Sequence, residues 1–137
     1  MRVLALDHGS ARCGCALSDP TGTLATPIEP VLRPETKAGI GAIRKLVEQR
    51  EVGRVVVGLP LSLSGADSQQ TLEARAFADR LRSALGPSVP VELFDERFTT
   101  TIAAGSGGRE SEDSRAAAVL LDDWLARHGH EHWNCDE

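Results

Sequence analysis

The sequence lacks the long apolar run that a membrane-spanning helix requires. None of its hydrophobic stretches approaches the ~20 residues needed to cross a bilayer. Its first residues, MRVLALD, enter a strand-like pattern without the apolar segment and cleavage site of a signal peptide. These absences exclude a membrane-spanning helical protein and predict a protein of the cytoplasm with no membrane partner.

Cysteine is scarce as well. The 137 residues include three cysteines, Cys13, Cys15 and Cys135, which do not form a disulfide framework. Cys13 and Cys15 lie two apart in a strand-like run and therefore point to the same face. They are expected to be reduced, partly buried thiols. The alternative, a C-x-C metal clip, would need a second pair of ligands at a useful spacing.

Positive charge does not predominate either. The formal net charge is −5, which disfavours nucleic acid as a partner because phosphate binding requires a basic surface. However, thirteen of the basic residues are arginine and two are lysine, and arginine can hold a phosphate with two hydrogen bonds. Carboxylates that ligate divalent cations also do not act as bare negative charge. A nucleic-acid substrate therefore stays open.

The hydrophobic pattern predicts one α/β domain over residues 1–137. The order βββ-α-β-α-β-α indicates a mixed five-stranded sheet, three antiparallel strands followed by parallel ones, with helices on its faces. Pro27 and Pro30 restrict the third strand to a sheet edge. The predicted strands span 2–7, 13–19, 24–33, 54–60 and 89–94, and the helices 35–50, 69–85 and 113–129, with a polar tail over about 128–137.

Three carboxylates occupy the ends of predicted elements. Asp7 ends the first strand, Glu96 follows the fifth strand, and Asp113 opens the last helix. If they converge at one end of the sheet, they repel one another unless a cation lies between them. The stripe of the last helix that carries Asp113 continues through Ala116, Ala117, Leu120 and Trp124.

Oxygen-only ligands suit one or two Mg²⁺ or Mn²⁺ ions. A two-ion site activates water at one ion and stabilises the leaving oxygen of a phosphodiester at the other. Each acid also has an ordinary role open to it. Asp7 could form a turn, Asp113 could complement the helix dipole, and Glu96 could pair with Arg97 at the surface.

The turn after Asp7 holds further candidates. Gly9 is free to adopt positive φ and keeps side-chain bulk away from an incoming phosphate. Arg12 is a candidate phosphate clamp, or else a salt-bridge partner that orients a carboxylate. His8 is interpreted as an ordinary polar residue of the turn, with contact to substrate or metal as the alternative.

Two other segments carry candidate substrate-binding residues. Arg97 follows Glu96 directly and has the same two interpretations as Arg12. Ser62 and Ser64 lie in a loop that follows a predicted parallel strand, where open α/β sheets tend to bind ligands. A plain surface loop is the alternative for these serines.

Four motifs resemble those of the YqgF/RuvX family. VVVGLPLSLSG (55–65) is similar to its Gly-Leu-Pro motif, FDERFTT (94–100) to its Asp-Glu-Arg-x-[ST]-Thr motif, and DSRAAAVLL (113–121) to its closing D-x-x-A-A-x-x-[IL]-L motif. The opening motif, D-x-G-x-x-R-x-G-x-A-x-S-D, is matched by Asp7, Gly9, Arg12, Gly14, Ala16, Ser18 and Asp19.

The resemblance implies an RNase H-like fold and a divalent-metal endonuclease, with Asp7, Glu96 and Asp113 as its acidic residues. Members of the family are associated with processing the 5′ end of pre-16S rRNA, and some with cutting branched DNA. A Holliday junction resolvase is the rival activity, and it would require a homodimer because two symmetric cuts need two sites. A nucleic-acid-binding module without turnover is the rival outside the enzymes.

Overall fold

The computed structural model describes residues 2–9, 11–22, 24–59, 68–95 and 112–135. Within them the elements follow the predicted order. The strands are β1 (Arg2–Asp7), β2 (Arg12–Ser18), β3 (Ala25–Leu32), β4 (Val52–Leu59) and β5 (Val91–Asp95). The helices are α1 (Lys37–Gln49), α2 (Gln69–Leu85) and α3 (Glu112–Cys135).

The strands form one mixed sheet in the order β3-β2-β1-β4-β5. β2 is antiparallel to both β1 and β3, whereas β4 is parallel to β1 and to β5. The predicted architecture is therefore confirmed. β3 lies at an edge, as Pro27 and Pro30 require, because proline cannot donate a hydrogen bond to a neighbouring strand.

Helices cover both faces of the sheet. On one face, α1 and α2 pack on alternate strand residues such as Leu4 and Leu6. On the other face, α3 packs on the intervening residues, among them Val3 and Ala5. This alternation follows from the period of two along a strand. None of the described helices is long and apolar enough to cross a membrane.

The bounds of α2 match the predicted range because both ends carry strong local signals. Ser68 caps the first turn, and its side chain and that of Thr71 each accept a hydrogen bond from the other residue's backbone N–H. Gly86 ends the helix at φ 80°, a left-handed conformation that glycine adopts without steric cost.

The last helix differs from the prediction in two respects. It continues to Cys135, so the segment expected as a polar tail is helical backbone through that residue. Gly129 does not stop it, since a single glycine costs a helix only about 1 kcal/mol and no proline follows. Ala116 is exposed, so it does not belong to the stripe assigned to it. The buried residues of α3 are Ser114, Ala117, Leu120, Leu121, Trp124 and Leu125.

A polar contact fixes the middle of α3 on the sheet. Trp124, predicted as a core residue, is buried, and its Nε1 donates to Glu92 Oε2 at 2.8 Å. The other carboxylate oxygen of Glu92 accepts from Arg54 at 2.7 Å. Strands β4 and β5 and helix α3 are thereby joined by one carboxylate.

Candidate active site

Asp7 lies where several chain segments end together. It is the last residue of β1, and its neighbour Leu6 pairs with Val57 of the parallel strand β4. β4 pairs in turn with β5 as far as Asp95. The carboxyl ends of these three parallel strands therefore share one edge of the sheet, the position where open α/β sheets bind ligands.

The first turn of α3 lies at the same edge. Ser114 is fully buried, and its Oγ accepts a hydrogen bond from the backbone N–H of Cys15 at 3.3 Å. Cys15 pairs with Leu6 across β1 and β2, and the preceding Gly14 pairs with Asp7. The beginning of α3 is thus tied to the strand pair at the level where β1 ends.

The alternation of β1 assigns Asp7 to a face of the sheet. Val3 and Ala5 pack against α3, so Asp7, two residues further, projects to the α3 face. Asp113 immediately precedes Ser114 and belongs to the first turn of α3; its side chain lies outside the described residues. The backbones of two of the three predicted acids therefore meet at one corner of the fold.

Ser114 is the residue of this corner that the sequence analysis missed. Its signal was present, because a serine interrupts the small and apolar residues of the buried stripe of α3. A buried hydroxyl needs a hydrogen-bond partner, and that requirement predicts a polar contact with the sheet. The sequence did not indicate that the partner would be an N–H group of β2.

The turn after Asp7 is tight for a steric reason. A Cβ atom added to Gly9 would lie 2.7 Å from the backbone oxygen of Arg12, closer than any side chain allows. The described positive-φ glycines are Gly22 and Gly86, so Gly9 does not use the positive φ that glycine permits. Glycine is needed here for space. Arg12 opens β2 and is exposed at the rim of this edge.

The side chain of His8 is buried, which its interpretation as an ordinary polar turn residue did not anticipate. Its side chain is 3% exposed, and its Nε2 lies 2.9 Å from Glu35 Oε2. Its ring lies 4.7 Å from that of Phe77 in α2. Residues distant in sequence, Glu35 and Phe77, enclose this imidazole, and the local pattern around His8 contains no sign of them.

Two residues of the opening motif have structural roles. Ser18 is buried, and its Oγ accepts a hydrogen bond from the backbone N–H of Val3 at 2.8 Å. Asp19 closes the turn between β2 and β3 by accepting from the backbone N–H of Leu24 at 3.0 Å. A match to the motif therefore does not by itself place a residue at the active site.

The cysteines belong to the core beneath the turn. Cys13 and Cys15 are free thiols with no exposed surface, more deeply buried than predicted, and they lie on the face covered by α1 and α2. A hydrogen bond involving Cys13 lowers the pKa of the Cys15 thiol, while burial acts in the opposite direction.

The remaining predicted residues, Glu96, Arg97, Ser62 and Ser64, lie outside the described residues. The same holds for the side chains of Asp113 and of residues 128–137, the predicted tail. Among the side chains that the structure does describe, no group of three or more histidines, cysteines or acids could hold a metal ion. The assignment of the acidic triad consequently stays a prediction.

Comparison with known proteins identifies relatives along nearly the whole chain. Residues 1–127 match the family model described as RuvX, Holliday junction resolvase. A protein of Koribacter versatilis is 41% identical over 93% of this chain and 88% of its own length. A protein of an Anaeromyxobacter strain is 43% identical over 91% of this chain and 96% of its own. Both carry the provisional name pre-16S rRNA nuclease.

A solved structure resembles the chain in fold. Thermus thermophilus RuvC in complex with a Holliday junction substrate superposes with a TM-score of 0.58, covering 94% of this chain and 96% of its own. Its sequence is 16% identical, so the likeness concerns the fold. The mixed five-stranded sheet with helices on both faces is thus RNase H-like, as expected.

Proposed function

This chain belongs to the RuvX family, and from that premise we propose that it is a divalent-metal-dependent endonuclease that hydrolyses phosphodiester bonds in structured RNA. The names of its relatives point to the precursor of 16S ribosomal RNA as the substrate. Such a substrate would place the reaction in the cytoplasm.

One observation carries the assignment of the site. The bond between Ser114 Oγ and the N–H of Cys15 brings the first turn of α3 to the end of β1. Asp7 and Asp113, separated by more than a hundred residues, are thereby brought to one corner of the molecule. Two carboxylates at one corner repel each other, and a divalent cation held between them would remove that repulsion.

The third acid is expected on the same face. Glu92 contacts Trp124 of α3, and Phe94 also packs on that side. If the alternation of β5 continues for two residues, Glu96 would face α3 as Asp7 does. The donor set would then be Asp7, Glu96 and Asp113, whose oxygens suit Mg²⁺ or Mn²⁺. One or two such ions, when bound, would supply a water of lowered pKa and neutralise charge on the phosphate.

The chain's own residues would hold and orient the substrate. Arg12, exposed beside Asp7, would contact a phosphate oxygen through its guanidinium, and Arg97 would do the same from the segment after β5. Gly9 presents no side chain at the turn, so that a sugar-phosphate backbone can approach. Ser62 and Ser64, from the segment that follows β4, are proposed to contact the nucleic-acid strand.

A Holliday junction resolvase is the second candidate, favoured by the description of the matching family. Two symmetric cuts across a junction require two active sites, so this candidate would require a homodimer. In such a dimer, the two sites around Asp7 would both have to face the same junction. The two candidates therefore differ in substrate and in assembly.

A single cleavage assay separates these candidates. The purified protein is offered an RNA that contains the 5′ region of pre-16S rRNA and, in parallel, a four-way DNA junction, each with Mg²⁺, Mn²⁺ or EDTA. We expect the RNA to be cut with either metal and to stay intact in EDTA. The Asp7→Ala variant should bind the RNA without cutting it, which excludes a contaminating nuclease.

Two other outcomes would change the assignment. If the junction is cut faster than the RNA and light scattering gives the mass of a dimer, the protein is a resolvase. If it binds either substrate in EDTA and no divalent metal produces cleavage, it is a binding module without turnover. Equal cleavage by the parent and the Asp7→Ala variant would remove Asp7 from the mechanism.

A further inference from the structure

We propose that His8 and Glu35 form a positioning pair that fixes the direction in which Asp7 points; the inference rests on the proposed nuclease function. The pair lies on the opposite side of the sheet from the reaction. Asp7 projects to the α3 face, while the adjacent His8 turns to the face of α1 and α2, where it meets Phe77.

His8 has few alternatives to Glu35. Its side chain is almost fully buried, and its Nε2 lies 2.9 Å from Glu35 Oε2, at an angle short of a regular hydrogen bond. Among the described residues, no other group satisfies this nitrogen. A buried polar atom without a partner is costly, and the Glu35 carboxylate is the described group that lies close enough to reduce that cost. A neutral ring with a proton on Nε2 can make this contact as well as a charged one.

Glu35 is itself held by surrounding contacts. Arg80 of α2 donates a hydrogen bond through Nη1 to the backbone oxygen of Glu35. The next residue, Thr36, is the N-cap of α1, and its Oγ1 accepts from the backbone N–H of Gly39 at 3.0 Å. The carboxylate therefore projects from a segment that two helices fix in place.

The same segment also holds the far end of the turn. The backbone N–H of Arg33 donates to the carbonyl oxygen of Ala11 at 2.9 Å. Arg33 adopts φ 47°, a left-handed conformation that is unfavourable for a residue with a side chain. A Cβ atom on Gly39 would lie 2.2 Å from the backbone oxygen of Arg33, so α1 packs directly on this connection.

The segment between β3 and α1 therefore contacts both ends of the turn that follows Asp7. His8 is held through Glu35, and Ala11 is held through Arg33. Because Asp7 and His8 are consecutive and project to opposite faces, a rotation of the backbone at His8 would swing the Asp7 carboxylate away from its ligand position. A ligand displaced by about 1 Å is enough to impair a metal-dependent reaction.

The pair is tested by removing one partner at a time. In Glu35→Ala, we expect the amides of residues 8–9 and 11–12 to exchange with solvent faster than in the parent. The dissociation constant for Mn²⁺, measured by calorimetry without nucleic acid, should rise by about tenfold, as is usual when a group that orients a metal ligand is lost. The kcat for cleavage should fall with KM for the RNA unchanged.

Two further variants separate positioning from general damage. Glu35→Gln retains an oxygen that can accept from His8 and should recover most of the Mn²⁺ affinity and kcat. His8→Phe keeps the contact with Phe77 and loses the N–H, so it should behave as Glu35→Ala does. Combining His8→Phe with Glu35→Ala should add little, because the two changes remove the same contact.

The matched control is Glu48→Ala, which removes an exposed carboxylate of α1 that lies 4.0 Å from Arg44. It should leave exchange, Mn²⁺ affinity and kcat unchanged. If Glu35→Ala matches the parent in all three while Asp7→Ala abolishes cleavage, the positioning pair is refuted and the nuclease function stands. If the parent itself cuts no nucleic acid, the nuclease function fails, and the exchange rates of the turn still decide whether the pair holds it.

Discussion

Two carboxylates on the α3 face of the same sheet have different surroundings. Glu92 lies in a row with Val56 and Ala5, and Asp7 is two residues further along β1. Glu92 is neutralised by Arg54 at 2.7 Å and accepts from Trp124 at 2.8 Å. Asp7 ends its strand beside the first turn of α3, to which the predicted ligand Asp113 belongs. Glu92 therefore has a structural role on this face, whereas Asp7, at the end of its strand, is the candidate metal ligand.

The largest expected effect is on cleavage and metal binding, where substitutions at Asp7 and Glu92 should differ. Asp7→Asn should lower the cleavage rate on the order of 10³-fold or more, as the loss of a catalytic group does, and it should also abolish Mn²⁺ binding. Glu92→Gln should leave both properties within about twofold of the parent once the folded fraction is matched. Cleavage assays and Mn²⁺ calorimetry on the same preparations make the measurement. A comparable loss in Glu92→Gln would show that the two sites are not distinct.

The second effect concerns stability. Glu92→Ala leaves the Trp124 N–H and the Arg54 guanidinium without their shared acceptor and should cost about 1–2 kcal/mol of unfolding free energy. Chemical denaturation measures this loss. Glu92→Gln, which still accepts from Trp124, should lose less. Asp7→Asn should unfold at the denaturant concentration of the parent or higher, and a large loss of stability there would assign Asp7 a structural role.

The third effect tests the link between the fold and the site. Ser114→Ala removes the acceptor for the Cys15 N–H and should destabilise the protein by about 1 kcal/mol. Because Ser114 ties the first turn of α3 to the strand pair, kcat should also fall several-fold, with KM unchanged. Ser83→Ala, at an exposed position of α2, is the matched control and should change neither property. If Ser114→Ala loses stability but keeps the kcat of the parent, the hydrogen bond of Ser114 is not needed to position Asp113.

The smallest expected effect is that of a substitution at Asp122, which belongs neither to the contacts of Glu92 nor to the candidate site at Asp7. Burial raises the pKa of Asp122 above its usual value, opposed by a backbone hydrogen bond with Ala25. The folded state therefore binds this proton more tightly than the unfolded state, and stability is lost as the pH rises through the two pKa values. Asp122→Asn should stabilise the protein at pH 7, by no more than about 0.5 kcal/mol because the carboxylate is largely screened by solvent.

The gain from Asp122→Asn should vanish once the pH falls below the usual carboxyl range near 3.8, where both proteins carry a neutral group. Thermal melts across pH 3–7 show this crossover. Asp79→Asn offers the opposite case, because Asp79 pairs with Arg82 at 2.7 Å, and this substitution should not stabilise. A gain that is equal at every pH would point to a cause other than proton binding.

Much of the fold could be predicted because its signals are local. Pro27 and Pro30 identified β3 as an edge strand, and Gly86 marked the end of α2. The prediction was wrong at the end of α3, which was expected at residue 129 and lies at Cys135. The sequence left the end of this helix open, since neither a strong cap nor a proline follows Gly129 to fix it.

The site could be predicted only in part. The acid at the end of β1 was found from its position after an apolar run. The burial of His8 could not be found, because its partners, Glu35 and Phe77, come from elsewhere in the chain. Gly9 was identified as a special position, and the structure adds a constraint that the local sequence did not show, the close approach of the Arg12 backbone.

The sequence by itself determined which segments are strands and helices, where most of them end apart from α3, and that acids stand at such ends, because periodicity and end signals act over a few residues. Only the tertiary structure decided which ends meet. Ser114 and Cys15 are 99 residues apart, and no local preference encodes their contact. It arises because α3 must bury its apolar stripe against the sheet, and the register of that packing sets where its first turn lies.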